Sequence, residues 1–323
     1  MKALAVFSGG LDSMLAAELI RAQGIDVLGL FFETPFFTST RARRSAEIIH
    51  LPLKVVDLTE PHLEVVRNPL HGYGGNMNPC IDCHALMLRK AGDLLVDEGA
   101  DFLITGEVLG QRPMSQNLRA LSTVAAYSGY QGLILRPLSA KLLPVTVPEE
   151  KGWVHREALM AFSGRGRKPQ MDLARTFHIS EYPSPAGGCL LTDPIFSRRL
   201  KDLFSSGPRC EVREIELLKM GRHFRFGDEA KAVVGRNKKE NDDILSLAGE
   251  SDLVIKVDSV PGPVVLVTGE ISPQVEALAV SLALSYSDAG DGELAEVKCL
   301  KSGSERRESG VAQPKSEFRA FMI

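Results

Sequence analysis

Apolar and polar positions along the first half of the chain follow two rhythms. KALAVFS (2–8) is a short, almost wholly apolar run, the pattern of a buried strand. From residue 13 to 23 the apolar positions recur at helical spacing, and Gly24 closes that helix. DVLGLFFE (26–33), LKVVDL (53–58), DFLITGE (101–107) and LILRPL (133–138) repeat the strand pattern. TSTRARRSAEII (38–49) and CHALMLRKAGDLLVDEGA (83–100) repeat the helical one. Strands alternating with helices predict an α/β domain built on a parallel sheet with right-handed crossovers. Ligands of such sheets bind at the carboxyl ends of the strands.

The rhythm changes after about residue 140. SGRGRKPQ (163–170) and EYPSPAGGC (181–189) are Gly/Pro-rich and bracket a short helical piece. A domain boundary is expected near residue 195. Beyond it, LVIKVDSV (253–260) and PVVLVTGE (263–270) read as two strands around a Pro-Gly turn, followed by a helix over 272–287. The expected divisions are therefore 1–195, a smaller α+β domain over 196–290, and a polar tail over 291–323 that is partly disordered or a short strand pair. No internal repeat is present.

The chain has 323 residues, enough for two domains. No apolar stretch reaches the roughly 18 residues of a membrane span, and MKALAVFSGG enters its glycine pair too early for a secretory signal. The expected location is cytosolic, with no membrane partner. Five cysteines, an odd number, argue against a disulfide framework there. Net charge is −3, split as −3 over 1–150, +7 over 151–240 and −7 over 241–323, counting Lys and Arg against Asp and Glu. A basic block inside an acidic chain is either a solvated surface or a contact for an anionic partner.

The candidate chemistry begins where the first strand stops, at Ser8-Gly9-Gly10-Leu11-Asp12-Ser13. Glycines let backbone N–H groups face inward, the helix start adds positive partial charge, and the serines add hydroxyl donors. Together they form an anion cradle. It lacks the lysine of a Walker loop and is not a GxGxxG fingerprint. SGGxDS after an apolar strand resembles the pyrophosphatase loop of the N-type ATP pyrophosphatases. That resemblance implies the adenine-nucleotide alpha hydrolase-like fold and cleavage of ATP between its α- and β-phosphates. It also implies that Ser8, Gly9, Gly10, Asp12 and Ser13 hold phosphates, with Asp12 acting through Mg²⁺. Phe32 or Phe36 at the end of the second strand is expected on the adenine, and Thr105-Gly106 at the end of the fourth beside the nucleotide. The polar run Gln111–Gln116 is open between ATP phosphates, RNA and solvent.

The cysteines narrow what is adenylated. Cys80-Ile81-Asp82-Cys83 is a CxxC at a helix start, which lowers a thiol's pKa, and Cys189 follows two glycines. Three thiolates are one short of a closed zinc site and suit a 4Fe–4S cluster with one open iron. NPCIDC, a helix and FLITGE resemble the layout of tRNA 2-thiouridylases and of 4-thiouridine synthetase adenylation domains. By that resemblance Cys83 and Cys189 are catalytic, with Cys80, Cys83 and Cys189 as metal ligands in the cluster-dependent thiolases. Cys80 and Glu107 depart from the 2-thiouridylase pattern, where Glu107 replaces a histidine. The implied activity is ATP-dependent tRNA thiolation: a base carbonyl of uridine or cytidine is adenylated and its oxygen replaced by sulfur. The sulfur comes from a cysteine persulfide or a cluster, fed by a cysteine desulfurase or sulfide. The rival is a small-molecule ATP pyrophosphatase, an amide ligase, with structural zinc at the CxxC. His71 and His84 read as surface or packing residues, and Cys210 and Cys299 as structural ones.

In the last third, Gly235-Arg236-Asn237-Lys238-Lys239-Glu240-Asn241, then SDLVIKV and a Pro-Gly turn, resemble the RNA-binding domain of NFACT proteins. Arg222, Arg225, Arg236, Lys238 and Lys239 are the candidate phosphate contacts, and His223, Phe224 and Phe226 the candidate stacking residues. Arg165, Arg167 and Lys168 would extend the basic face. The implied partner is tRNA.

Overall fold

The computed structural model describes residues 1–184, 188–207, 210–228 and 230–323. It divides into two compact units, Met1–Asp193 and Pro194–Ile323.

The first unit runs β1 (Lys2–Val6), α1 (Leu11–Arg21), β2 (Asp26–Glu33), α2 (Thr40–Ile48), β3 (Leu53–Asp57) and α3 (Thr59–Arg67). It continues through α4 (Cys80–Asp93), β4 (Phe102–Thr105), α5 (Leu118–Ser128), β5 (Ile134–Leu135), α6 (Val147–Glu150) and α7 (Lys168–Thr176). The strands form one sheet in the order β3-β2-β1-β4-β5, and every pair is parallel. The expected α/β class with a parallel sheet is what the chain adopts. Its two faces carry separate cores. Ala3, Ala5 and Phe7 of the first strand segment face one, with Met14 and Leu15 of α1; Leu4 faces the other, with Leu88 of α4 and Val124 of α5. This is the alternation a doubly covered strand requires. Chain order reverses between β1 and β4, so the crevice for a ligand lies beyond their carboxyl ends.

Several bounds differ from the sequence reading. The cysteine helix starts at Cys80, directly after Pro79, and ends at Asp93, so both CxxC thiols ride on its first turns. The fifth strand is two residues long, and helices α3 and α5 were not expected.

The second unit runs α8 (Pro194–Ser205), α9 (Val212–Leu218), β6 (Arg222–Phe226), β7 (Ala230–Val234), α10 (Lys238–Ser246), β8 (Leu253–Val257), β9 (Val264–Gly269), α11 (Pro273–Ser285), β10 (Leu294–Lys301) and β11 (Ser304–Val311). A short 3₁₀ segment, Lys315–Phe321, follows. Its strands form an antiparallel sheet in the order β11-β10-β8-β9-β7-β6. The stretch expected as a tail is part of this sheet: β10 and β11 pair residue for residue from Leu294↔Val311 to Lys301↔Ser304. Among the described residues no helix is long and apolar enough to cross a membrane.

Candidate active site

The phosphate loop is compressed from both sides. Gly9 has φ +72°, and a Cβ there would stand 2.7 Å from Ala42 Cα. Ser45 Oγ of α2 donates to Gly9 O at 2.7 Å, pinning the loop to that helix. On the other side a Cβ on Gly106 would stand 2.5 Å from Ser13 N, so the turn after β4 closes against the first turn of α1. Gly10 caps α1 without a side-chain hydrogen bond. Its carbonyl takes Ser13 Oγ at 2.8 Å, while Ser8 Oγ lies 3.4 Å from Ser13 Oγ. The first-turn N–H groups of α1 are thus directed at the crevice, as an anion site needs.

Asp12 stands inside this turn. Its Oδ2 accepts from Gln111 Nε2 at 3.0 Å, and Gln170 of α7 turns its amide to the same carboxylate. Oδ1 is buried with no hydrogen-bond partner among the described residues. Burial raises the pKa of this carboxyl, opposed by the Gln111 hydrogen bond and by the charges of Arg167 and Arg112. Arg41 completes the group. Burial, then repulsion from Arg167 and Arg112, lowers its pKa. Three guanidinium groups from α2, the β4–α5 loop and the N-cap of α7 therefore converge, and none makes an ion pair among the described residues. The Nε atoms of Arg41 and Arg167 are buried and unbonded. Arg167 was expected on an RNA surface and instead faces the phosphate loop; its neighbours Arg165 and Lys168 are exposed. Arg41 and Gln170 were missed, and Arg112 was seen only as part of a polar run. Phe32 is a correction of a different kind. It lies in the core with Leu4, Leu30 and Leu58, 3% exposed, and Phe36 packs on the His62 ring at 5.4 Å.

The thiols lie on the neighbouring element. Cys80 Sγ is 3.1 Å from Asn78 Oδ1, and Cys83 Sγ is 3.1 Å from His62 Nε2. Cys189 opens a short 3₁₀ turn, and Asn76 Nδ2 donates to Thr192 O at 2.8 Å, tying the glycine-rich loop before α4 to that turn. Residues 185–187 of the expected PAGGC loop lie outside the described residues. Helix-start stabilisation was expected to lower the thiols; the structure has them raised. Burial dominates in all three, and repulsion from Cys189 adds to it at Cys80 and Cys83. Arg112 opposes the rise at Cys80 and Cys189, the same arginine that faces Asp12. His62, unmarked in the sequence reading, is held neutral, its pKa brought by burial to about 4.

Two networks centred on the buried carboxylates Glu107 and Asp82 brace the site. Glu107 accepts from Arg136 Nε at 2.9 Å and from His84 Nδ1 at 2.8 Å. Burial would raise Glu107, but Arg136 and His84 outweigh it and bring the carboxyl to about 2. Asp82 accepts from the His71 backbone N at 2.9 Å and pairs with its Nδ1 at 2.6 Å. Both histidines therefore orient the turns around the thiols.

In the second unit most of the expected RNA contacts are already engaged. Arg225 donates to both oxygens of Asp202, Arg236 pairs with Glu240, and Lys239 lies 3.6 Å from Asp243. Arg222 sits over the Tyr286 ring at 5.0 Å, and Lys238 is exposed. His223, Phe224 and Phe226 were expected to stack on bases. They are 0%, 0% and 3% exposed and belong to the core of the sheet.

Against known proteins, residues 1–141 match the family model described as thiamine biosynthesis protein (ThiI), and residues 221–322 the NFACT protein RNA binding domain. A tRNA-specific 2-thiouridylase MnmA of Methylobacterium nodulans is 30% identical over 164 residues, 45% of this chain and 42% of that one. Another, of Syntrophomonas wolfei, is 35% identical over 115 residues, 33% of each chain. A probable tRNA sulfurtransferase of Ureaplasma urealyticum is 32% identical over 148 residues, 42% of this chain and 36% of that one. The chain spans less than half the length of these relatives. Both resemblances drawn from the sequence, to tRNA-thiolation domains and to the NFACT domain, are matched.

Proposed function

We propose that this chain, with a first unit of the tRNA-thiolation type and a second of the NFACT RNA-binding type, is an ATP-dependent tRNA sulfurtransferase. The observation that carries this reading is Arg112. Its charge acts on the phosphate-loop carboxylate and on the thiols of Cys80 and Cys189 alike, which supports adenylation and sulfur chemistry sharing one crevice.

ATP fits the cradle: Gly9 and Gly106 leave no room for a Cβ, and two buried guanidinium Nε atoms lack partners. Ser8, Gly9, Gly10 and Ser13 bind the leaving pyrophosphate, with Arg41, Arg112 and Arg167 neutralising its charge. Thr105 and Gly106 bring the β4 turn close to the nucleotide. The orphaned Oδ1 of Asp12 suits Mg²⁺, an oxygen-seeking cation. A carbonyl oxygen of a tRNA pyrimidine takes the adenylyl group, which turns it into a leaving group as AMP. Sulfur delivered through Cys83 and Cys189 then takes its place.

Cys80, Cys83 and Cys189 also form a donor set for a 4Fe–4S cluster. Their thiols are half-buried and repel one another as thiolates, an arrangement that iron would relieve. When bound, such a cluster would offer one open iron for sulfide. The three cysteines would hold it, and His62 and Asn78 would orient Cys83 and Cys80.

The test is anaerobic purification with iron, sulfide and zinc assays on wild type and Cys80→Ala, together with thionucleotide analysis of an incubated tRNA transcript. About four iron and four sulfide per chain, lost in the variant, supports the cluster route. Thiolation without iron moves the sulfur to a Cys83/Cys189 persulfide. One zinc and no thionucleotide rejects sulfur transfer in favour of the amide ligase.

A further inference from the structure

No aromatic side chain of the second unit is exposed among the described residues. Phe196, Phe224, Phe226 and Phe318 are buried, and Phe204, Tyr286 and Phe321 are half-buried. Phe321 stands edge-on to Phe226 at 5.5 Å. Tyr286 meets Phe224 at 5.8 Å, and two cations already approach its ring: Arg222 at 5.0 Å and Lys315 at 5.4 Å from the centroid. Domains that read unpaired bases stack them on exposed rings, and this unit offers none.

The two cations are themselves unusual. Arg213 is held by Asp252, Arg225 by Asp202, Arg236 by Glu240 and Arg306 by Glu276. Arg222, from β6, and Lys315, from the last 3₁₀ segment, make no ion pair among the described residues. A ring face attracts a cation without neutralising it, so two like charges brought to one ring still repel each other. An anion touching both would relieve that repulsion. The cationic line also continues along the unit. Gly221, next to Arg222, donates its N–H to Glu240 at 3.2 Å, and Glu240 pairs with Arg236 just before α10, where Lys238 is exposed.

We propose that Arg222 and Lys315 take RNA phosphates, that Tyr286 positions both of them, and that the second unit holds the RNA backbone without reading its bases. This rests on the tRNA reading and divides the labour within it. Phosphate contacts fix where a strand lies and carry no sequence information, so the choice of base falls to the first unit.

The experiment is fluorescence anisotropy of the full chain over a salt series. The labelled probes are a tRNA transcript and two single-stranded RNAs of equal length and unrelated sequence. Arg222→Gln and Lys315→Gln should each weaken binding by about 3–10-fold at low salt, by the same factor on every probe. Each should also lower the slope of log affinity against log salt by about 0.7–0.9. Arg222→Lys, which keeps the charge, should restore the slope. Tyr286→Leu should lower the slope as the double glutamine variant does, and Tyr286→Phe, which keeps the ring, should match wild type. Lys201→Gln, at an exposed position of α8, should stay within about twofold of wild type. An equal loss in Lys201→Gln would mean diffuse charge and overturn the proposal. A loss confined to one sequence would mean base readout and overturn it too. Unchanged binding in both glutamine variants overturns it while leaving the tRNA reading standing. No binding of any probe by wild type rejects the tRNA reading itself, and the phosphate contact with it.

Discussion

Gly106 shows how little freedom the crevice leaves to a single side chain. A methyl group there would overlap the backbone of Ser13 and Asp12, at 2.5 and 2.6 Å. Neither contact is the movable end of a side chain, so the phosphate loop must shift. We expect Gly106→Ala to abolish pyrophosphate binding in calorimetry, with a stability loss of only about 1–3 kcal/mol by urea unfolding. Binding at wild-type affinity would mean that the loop does not hold the anion. Glu107, the next residue, acts on stability instead. Its Arg136 partner is 8% exposed, and Glu107→Gln leaves that guanidinium buried without a counter-charge, a loss of about 3–5 kcal/mol. The pH dependence follows from its pKa, about 2 in the fold against an ordinary 4.5. A carboxyl lowered on folding contributes fully above pH 4.5, and the contribution fades as pH falls toward 2. Unfolding midpoints measured between those pH values should fall steeply in wild type and more shallowly in Glu107→Gln.

At the scale of elements, what the sequence showed depended on how local the cause was. β2 is found at the residues read for it because Asp26 and Glu33 bound a single apolar run. α5 escaped because its start is written in capping chemistry: Asn117 accepts from Ala120 N at 2.9 Å, just past the run Gln111–Gln116 that reads as a polar loop. β5 is short because Pro137, two residues past its end, cannot donate to the ladder. The site was legible in its loop and its cysteines, which are contiguous motifs. It was not legible in Arg41, Gln170 and His62, which reach the crevice only once the sheet has assembled. Polar residues inside strands were equally hidden. Lys231 lies in β7, 7% exposed, with Nζ 3.6 Å from Asp202, which Arg225 already satisfies. Burial brings its pKa down from 10.5 to about 8. A base lowered on folding opposes stability most where both states are protonated, below pH 8, and the opposition disappears as pH rises through 10.5. We expect Lys231→Met to stabilise the protein at pH 7 by about 1–3 kcal/mol, a gain that thermal unfolding should show shrinking toward pH 10.

At the scale of the molecule, the charge split takes on a different meaning. The excess of +7 over residues 151–240 left open a solvated surface or a contact for an anionic partner. Folding distributes it: Arg167 to the phosphate loop, Arg175 to Asp172, Arg213 to Asp252, Arg225 to Asp202 and Arg236 to Glu240. A charge count along the chain cannot separate cations spent inside the fold from those left for a ligand, since ion pairing depends on contacts made in three dimensions. Arg41, Arg112 and Arg167 make no close ion pair among the described residues and lie around the phosphate loop instead. On the proposed reading, the loop and its arginines carry the adenylation half of the reaction and the cysteines the sulfur half. Cys189→Ser should therefore separate the two. Its hydroxyl preserves the turn, in which Thr192 Oγ1 donates to the backbone oxygen of residue 189 at 2.7 Å. With a tRNA transcript and ATP, the variant should still release pyrophosphate, within about threefold of the wild-type rate since less than about 1 kcal/mol of the adenylation barrier involves the thiol. Thionucleotide should be undetectable by mass spectrometry of the digested RNA. Loss of both activities together would mean that the thiol takes part in adenylation, and retention of both would remove Cys189 from the sulfur path.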